Sequence, residues 1–159
     1  MNSRITPWLI CLIVVCAGLP AARAQDSPHK VEIVSNSIGM KLSRIMPGTF
    51  QMGSAKSEPE RRRDETAHEV TITKPFLIGV YEVSQSEFSR IMGTEAAKKA
   101  VFRGSKRPMD NATWESAGAF CQTLSLLPAE RNAGRTYRLP TEADWMSLIH
   151  IRRSPRPTL

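Results

Sequence analysis

Cysteine, histidine and paired carboxylates are the side chains that attack carbon, bind metals or move protons near neutral pH. This chain of 159 residues holds three cysteines and three histidines. Cys11 and Cys16 stand in an apolar N-terminal run, so Cys121 is the one thiol of the body, and alone it can close no intramolecular disulfide. Trp114, Ala117, Phe120, Cys121 and Leu124 recur at the period of one helix face. Cys121 therefore faces a core, whereas a reactive thiolate needs an exposed, electropositive setting. It reads as a small buried hydrophobe. His29, His68 and His150 are scattered, and no pair has metal-ligand spacing. Glu142 and Asp144 read as first-turn acids that favour a helix N-terminus, and Arg138 as a structural partner for such a carboxylate rather than an anion receptor. Arg61, Arg62 and Arg63 form a basic run, but Glu58, Glu60, Asp64 and Glu65 flank it and largely neutralise it, so the run is a solvated face. No residue is assigned as catalytic, cofactor-binding or metal-ligating.

The elements that must hold these residues can be read in order. Arg4, an apolar run over residues 8–19 and Ala22-Arg23-Ala24 have the form of a secretory leader with its cleavage site, the apolar run being too short to cross a bilayer comfortably. Val14-Val15 before Cys16 do not suit a lipoprotein site. Residues 1–24 are thus expected to lie outside the fold and 25–38 to be a lead-in, with the mature chain exported to a periplasm or secreted and no stable membrane span left after cleavage. Loose alternation over 40–45 and 49–52 around Pro47-Gly48 predicts a hairpin. Residues 55–67 are a charged loop, 70–73 a strand, and 76–83 a second apolar run. Ser84-Gln85-Ser86-Glu87 has the form of a capping box, with Phe88, Ile91 and Met92 as the buried stripe and Gly93 as the αL stop. Residues 96–101 extend towards further helix, and 103–108 are loop. Thr113 caps a second helix that Leu127-Pro128 ends; 129–136 are loop and 137–139 strand-like. Thr141 and Asp144 form a capping pair for a third helix, with Trp145 its first large anchor, which Pro155 and Pro157 stop.

The net charge of +7 misleads about partners. Setting aside Arg4, Arg23, Arg152, Arg153 and Arg156 leaves 17 basic against 15 acidic residues. The body lacks the clustered basic face that nucleic acid requires.

Tyr137-Arg138-Leu139-Pro140-Thr141-Glu142-Ala143-Asp144-Trp145 resembles the signature of the formylglycine-generating (sulfatase-modifying factor) enzyme family. Other pieces stand in the family's order. Ile45-Met46-Pro47-Gly48-Thr49-Phe50-Gln51-Met52-Gly53-Ser54 is similar to its opening, and His68-Glu69-Val70-Thr71-Ile72 with Lys74-Pro75-Phe76 to its next block. Ile78-Gly79-Val80-Tyr81-Glu82-Val83-Ser84 leads into a helix, and Pro108, Trp114-Glu115-Ser116-Ala117 and Phe120-Cys121 follow. Ala67 replaces a usual proline, Asn111-Ala112-Thr113 is irregular, and Asp144 replaces a usual glutamate. The resemblance covers residues 39–145, and 146–159 resemble nothing in the family.

The resemblance implies an α+β, C-type-lectin-like fold with few regular elements and long loops. It implies an enzyme that oxidises a cysteine in a sulfatase's C-x-P-x-R segment to formylglycine, with oxygen and copper(I), the metal held by two cysteines near the far end of the domain. Calcium ligands also belong to that far portion. Cys121 lies in the early helix and matches neither copper ligand, although soft sulfur donors do select Cu(I). The expectation is thus a truncated domain, inactive in cysteine oxidation, that folds loosely or aggregates, with a sulfatase polypeptide as its client. The alternative is an exported, non-catalytic binding module of lectin-like fold.

Overall fold

A computed structural model describes residues 14–17, 32–55, 57–60, 62 and 65–150. The expected cleavage site, the first half of the lead-in, Arg61, Arg63, and the tail from 151 lie outside the described residues, whereas Val14–Ala17 of the expected leader, read from the sequence as outside the fold, are paired within a sheet. The chain divides into two compact units, Met1–Arg44 with Phe76–Leu139, and Ile45–Pro75 with Pro140–Leu159.

The first unit is built on a sheet of five strands. In chain order these are β1 (Val14–Ala17), β2 (Ile33–Ser35), β3 (Lys41–Ile45), β6 (Phe76–Gly79) and β7 (Arg135–Arg138), and in space β2-β3-β6-β1-β7. Four helices belong to the same unit: α1 (Gln85–Met92), α2 (Thr94–Ala97), α3 (Trp114–Leu126) and α4 (Pro128–Asn132). One apolar cluster joins sheet and helices through Met40, Leu42, Leu77, Val83, Phe88, Met109, Phe120, Cys121, Leu124 and Tyr137. Phe88 of α1 and Phe120 of α3 stack with ring centres 5.4 Å apart and planes 5° from parallel, which locks the two apolar helix faces together. Burying side chains of this size stabilises by roughly 2 kcal/mol each.

Local signals explain the helix ends. Ser84 caps α1: its Oγ accepts from the Glu87 amide at 3.3 Å while the Glu87 carboxylate accepts the Ser84 amide at 2.8 Å, the reciprocal capping box. Gly93 ends α1 as expected but not in the αL conformation: φ is +87° and ψ 158°, an extended positive-φ backbone nearly restricted to glycine. Thr113 caps α3 through the Ser116 amide at 3.2 Å. The segment 129–136, expected to be loop, instead holds α4 and the start of β7. Pro128 at the first helical position, followed by Ala-Glu-Arg, carries the signal for it.

The second unit contains a two-stranded ribbon, β4 (Gly48–Met52) against β5 (His68–Ile72), with α5 (Glu142–His150) packed on it. The expected hairpin of 40–45 with 49–52 does not form. A strand has two edges, and β2 and β6 take both edges of β3, so β4 finds its partner in β5. Phe50 lies opposite Val70 and Thr49 opposite Thr71, whose hydroxyls meet at 3.1 Å. Pro47-Gly48 is therefore a junction between two sheets. Gly53 follows β4 at φ +93°, and a Cβ there would lie 2.6 Å from the Thr66 carbonyl oxygen. The Ser54 amide donates to Glu65 O at 2.9 Å and its Oγ to the Glu65 carboxylate at 3.1 Å, closing the charged loop.

Two glycine substitutions separate strain from collision. Gly93→Ala meets open space and should lose about 1 to 2 kcal/mol, from backbone strain alone. Gly53→Ala adds a clash with fixed backbone and should lose about 2 to 4 kcal/mol. Chemical denaturation of both variants measures the difference, and equal losses would contradict the role given to Gly53.

Candidate functional site

The residues that sequence reasoning examined do not converge. His68 opens β5 on the surface, its Nδ1 2.8 Å from the Thr66 carbonyl. His150 ends α5, and His29 lies outside the described residues. Arg138 donates from Nη1 to Leu139 O at 3.1 Å. Glu142 is exposed in the first turn of α5. Asp144 closes the expected cap: its carboxylate accepts the Thr141 amide at 2.8 Å and the Thr141 hydroxyl at 2.7 Å, while the Asp144 amide donates back to Thr141 Oγ1 at 3.2 Å. Arg62, the described member of the basic run, donates its amide to Glu65 at 3.3 Å.

Cys121 sits inside the core on α3. Burial pushes its thiol up to about 11, against a smaller backbone contribution in the other direction. The thiol is therefore protonated at neutral pH and sheltered, which removes both conditions for nucleophilic or redox use.

A buried polar cluster around Glu130 has no short-range signature in the sequence. Glu130 of α4 has 0 % of its surface exposed. One carboxylate oxygen accepts the Ser37 amide at 2.7 Å; the other accepts Arg135 Nε and the Tyr137 hydroxyl, both at 2.5 Å. Burial drives the Glu130 carboxyl up, but the hydrogen bonds from Arg135, Ser37 and Tyr137 together outweigh it and bring the group down to about 2. Tyr137 moves the opposite way, well above its ordinary value, through burial first and then its bond to Glu130. Beside them Asn36 Oδ1 accepts the Ile38 and Met40 amides at 3.1 and 2.9 Å, fixing the turn into β3. The Ser37 amide, Arg135 Nε and the Tyr137 hydroxyl are spent on Glu130, and Glu130 has no surface for a substrate, so its work is to hold the fold.

An open cleft of about 340 Å³ lies at the start of α1, lined by Tyr81, Glu82, Ser84, Ser86, Glu87, Lys106 and Pro108. Ser84 and Glu87 are committed to the cap, Ser84 Oγ donating to the carboxylate at 2.7 Å. Gln85 is also structural: Nε2 donates to Phe102 O at 2.7 Å and Pro108 O at 3.1 Å, and Oε1 accepts the Gly104 amide at 3.1 Å, pinning the loop that forms the cleft wall. What remains for a ligand is an exposed tyrosine and isolated charges. This suits contact with a polar surface and offers no nucleophile with its base.

The Sulfatase-modifying factor enzyme 1-like domain family matches residues 32–147. The chain belongs to this family. It is 24% identical over 167 residues to the Chaperone protein LppX of Paenibacillus barcinonensis, covering 87% of this chain and 52% of that protein. Its fold is similar to that of PvdO from Pseudomonas aeruginosa, with a TM-score of 0.56 and 21% identity over 74% of this chain and 50% of that one. The α+β fold expected from the family motifs is thus the fold observed. The chain spans about half the length of both relatives.

The copper that the family implies does not fit the described residues. Among them no three of His, Cys, Asp and Glu stand together as a metal site. A Cu(I) site also needs thiolates that the metal can reach, and the thiol of Cys121 is sealed in the core. The same lack of a carboxylate cluster gives calcium no cage. No step through either metal is derived.

Two measurements check this site. The Glu130 carboxyl binds its proton less tightly folded than unfolded, because its pKa falls from 4.5 to about 2. Its contribution is whole above about pH 4.5 and is lost as pH falls through 2. Glu130→Ala should lose about 3 kcal/mol at pH 7, the low end for a broken buried pair because Arg135 is 21% exposed and can turn to water. The loss should shrink progressively below pH 4.5 in acid-to-neutral denaturation series, and a pH-independent loss would contradict the assignment. Separately, the Cys121 peptide should stay unalkylated in native chain at pH 8 and react fully in denaturant, by mass mapping.

Proposed function

We propose that this chain is an exported, non-oxidising member of the sulfatase-modifying factor family that works by contacting another polypeptide. The observation that carries this reading is Cys121, a thiol held protonated inside α3. Cysteine oxidation to an aldehyde removes two electrons and a sulfur from the client, and in the family resemblance two metal-bound thiolates organise that step. The sealed, protonated thiol of Cys121 is not suited to be one of them. Export rests on the leader pattern of residues 1–24, with cleavage after Ala24. No helix among the described residues is long and apolar enough to cross a membrane. The family's description supports a sulfatase-type polypeptide as the client.

The non-catalytic binding role has its own support. One relative is named a chaperone protein, and the surface of the first unit carries Tyr81 at 73% exposure together with exposed Val101 and Phe102. Aromatic and apolar side chains left in water are suited to contact with another chain.

The chain should give no aldehyde when incubated with a C-x-P-x-R peptide, copper(I) and oxygen, as read by mass spectrometry, yet should retain that peptide or an unfolded sulfatase in a pull-down. Aldehyde formation that disappears in Cys121→Ser would overturn the proposal.

A further inference from the structure

Residues 98–107, between α2 and α3, read Lys-Lys-Ala-Val-Phe-Arg-Gly-Ser-Lys-Arg, with five basic residues and no acid. The near-neutral charge of the body hides this local excess. All five cations are exposed. Lys98 is paired with Glu95 at 2.6 Å, and Lys106 shares the cleft with Glu82 and Glu87. Lys99, Arg103 and Arg107 have no ion pair among the described residues. The Arg107 stem lies over Gly104, at the edge of the room that a Cβ there would need, which keeps this cation beside the loop.

The loop is held from behind. Ala100 is buried, and the Lys99 carbonyl accepts Asn111 Nδ2 at 3.1 Å. The Asp110 carboxylate, the nearest acid in sequence, accepts the Val101 and Phe102 amides at 3.1 and 3.2 Å. Gln85 bonds the Phe102 carbonyl and the Gly104 amide. With these backbone groups satisfied from within the fold, the loop keeps its shape without a partner. Yet Val101 and Phe102 are each left 66% exposed, side by side between Lys99 and Arg103.

We propose that the 98–107 loop is a membrane-surface contact, in which Val101 and Phe102 enter the headgroup boundary of an anionic phospholipid layer while Lys99, Arg103 and Arg107 lie at its phosphates. Two chemistries at one tip select this occupant. The cations attract any anionic partner over about 8 to 10 Å at ordinary ionic strength, but a soluble polyanion leaves Val101 and Phe102 in water. A neutral apolar partner leaves the cations without counter-charge. A lipid boundary satisfies both, because long Lys and Arg stems keep their heads at the phosphates while the apolar tip goes deeper. Docking orders little that is not already ordered. The proposal goes beyond the polypeptide-binding reading: it gives Val101 and Phe102 to lipid and leaves Tyr81 and the cleft to the other chain. It holds whether the leader is retained or removed.

Flotation of the full chain with vesicles tests this. On phosphatidylglycerol-phosphatidylcholine vesicles, V101S/F102S should bind at least about tenfold more weakly than the unmodified chain. K99Q/R103Q should bind about 25-fold more weakly, from about fivefold per cation, and salt should erase that difference. Pure phosphatidylcholine should not distinguish the three chains. Equal binding of all three to the anionic vesicles would place the contact elsewhere in the chain and defeat the proposal. F102W reports the tip itself. Against the unmodified chain, the added emission should be that of indole in water, quenched by acrylamide; on anionic vesicles it should shift to the blue and be quenched by brominated lipid. Emission already blue and shielded in buffer would show the tip covered by protein, which also defeats it. So would binding to dextran sulfate that K99Q/R103Q loses and V101S/F102S keeps, with no vesicle binding: that is a polyanion site. If V101S/F102S melts below the unmodified chain, quenching of F102W by brominated lipid decides. Retention of the C-x-P-x-R peptide by V101S/F102S would show that the lipid and polypeptide readings stand apart.

Discussion

A carboxylate with no access to water holds three distant parts of the first unit in register. Glu130 reaches the Ser37 amide across 93 positions of sequence and gathers Arg135 and Tyr137 from β7. An isolated buried carboxylate costs several kcal/mol, so the burial is tolerable only when all three donors arrive together. That requirement fixes the turn before β3, the length of α4 and the face of β7 that looks inward. Ser125 extends the constraint into α3: its hydroxyl donates to Cys121 O at 2.7 Å and accepts the Tyr137 amide at 2.8 Å. The helix that carries the lone thiol is thus tied to the strand that carries the tyrosine.

Seen from that knot, the stretch most typical of the family is scaffold. Tyr137 supplies a hydroxyl to Glu130, and Thr141 and Asp144 cap α5. Gly53, in the opening motif, lets backbone pass within collision distance of Thr66. None of these residues touches a reacting group. Membership in the family therefore comes from residues that build the fold, and the family's oxidation chemistry does not follow from them. What the fold leaves available is surface and sheet edge, which favours contact with other chains.

The parts of this arrangement that were legible in the sequence are short-range. The Ser84 capping box, the Thr113 cap and the Thr141–Asp144 pair each span three residues, so residue type and spacing suffice. Cys121 was legible because a helix repeats its buried face every three to four positions. The hairpin was misread because alternation predicts a strand but not which edge is free, and both edges of β3 are taken. β2 offered only three residues, too few for a period. α4 has only five residues, too few for a buried period, and Pro128 is the one signal of its start. Glu130 looked like any surface acid in a polar stretch, because its partners lie far away in sequence or on a strand whose inward face had not been assigned.

The most direct measurement is a carbon-13 NMR titration of the Glu130 carboxyl in the folded chain. The account predicts an apparent pKa of about 2, with the Ser37 amide shift moving along the same curve. Titration at the ordinary 4.5, with the Ser37 amide unaffected, would mean that the carboxylate is not the tie described here.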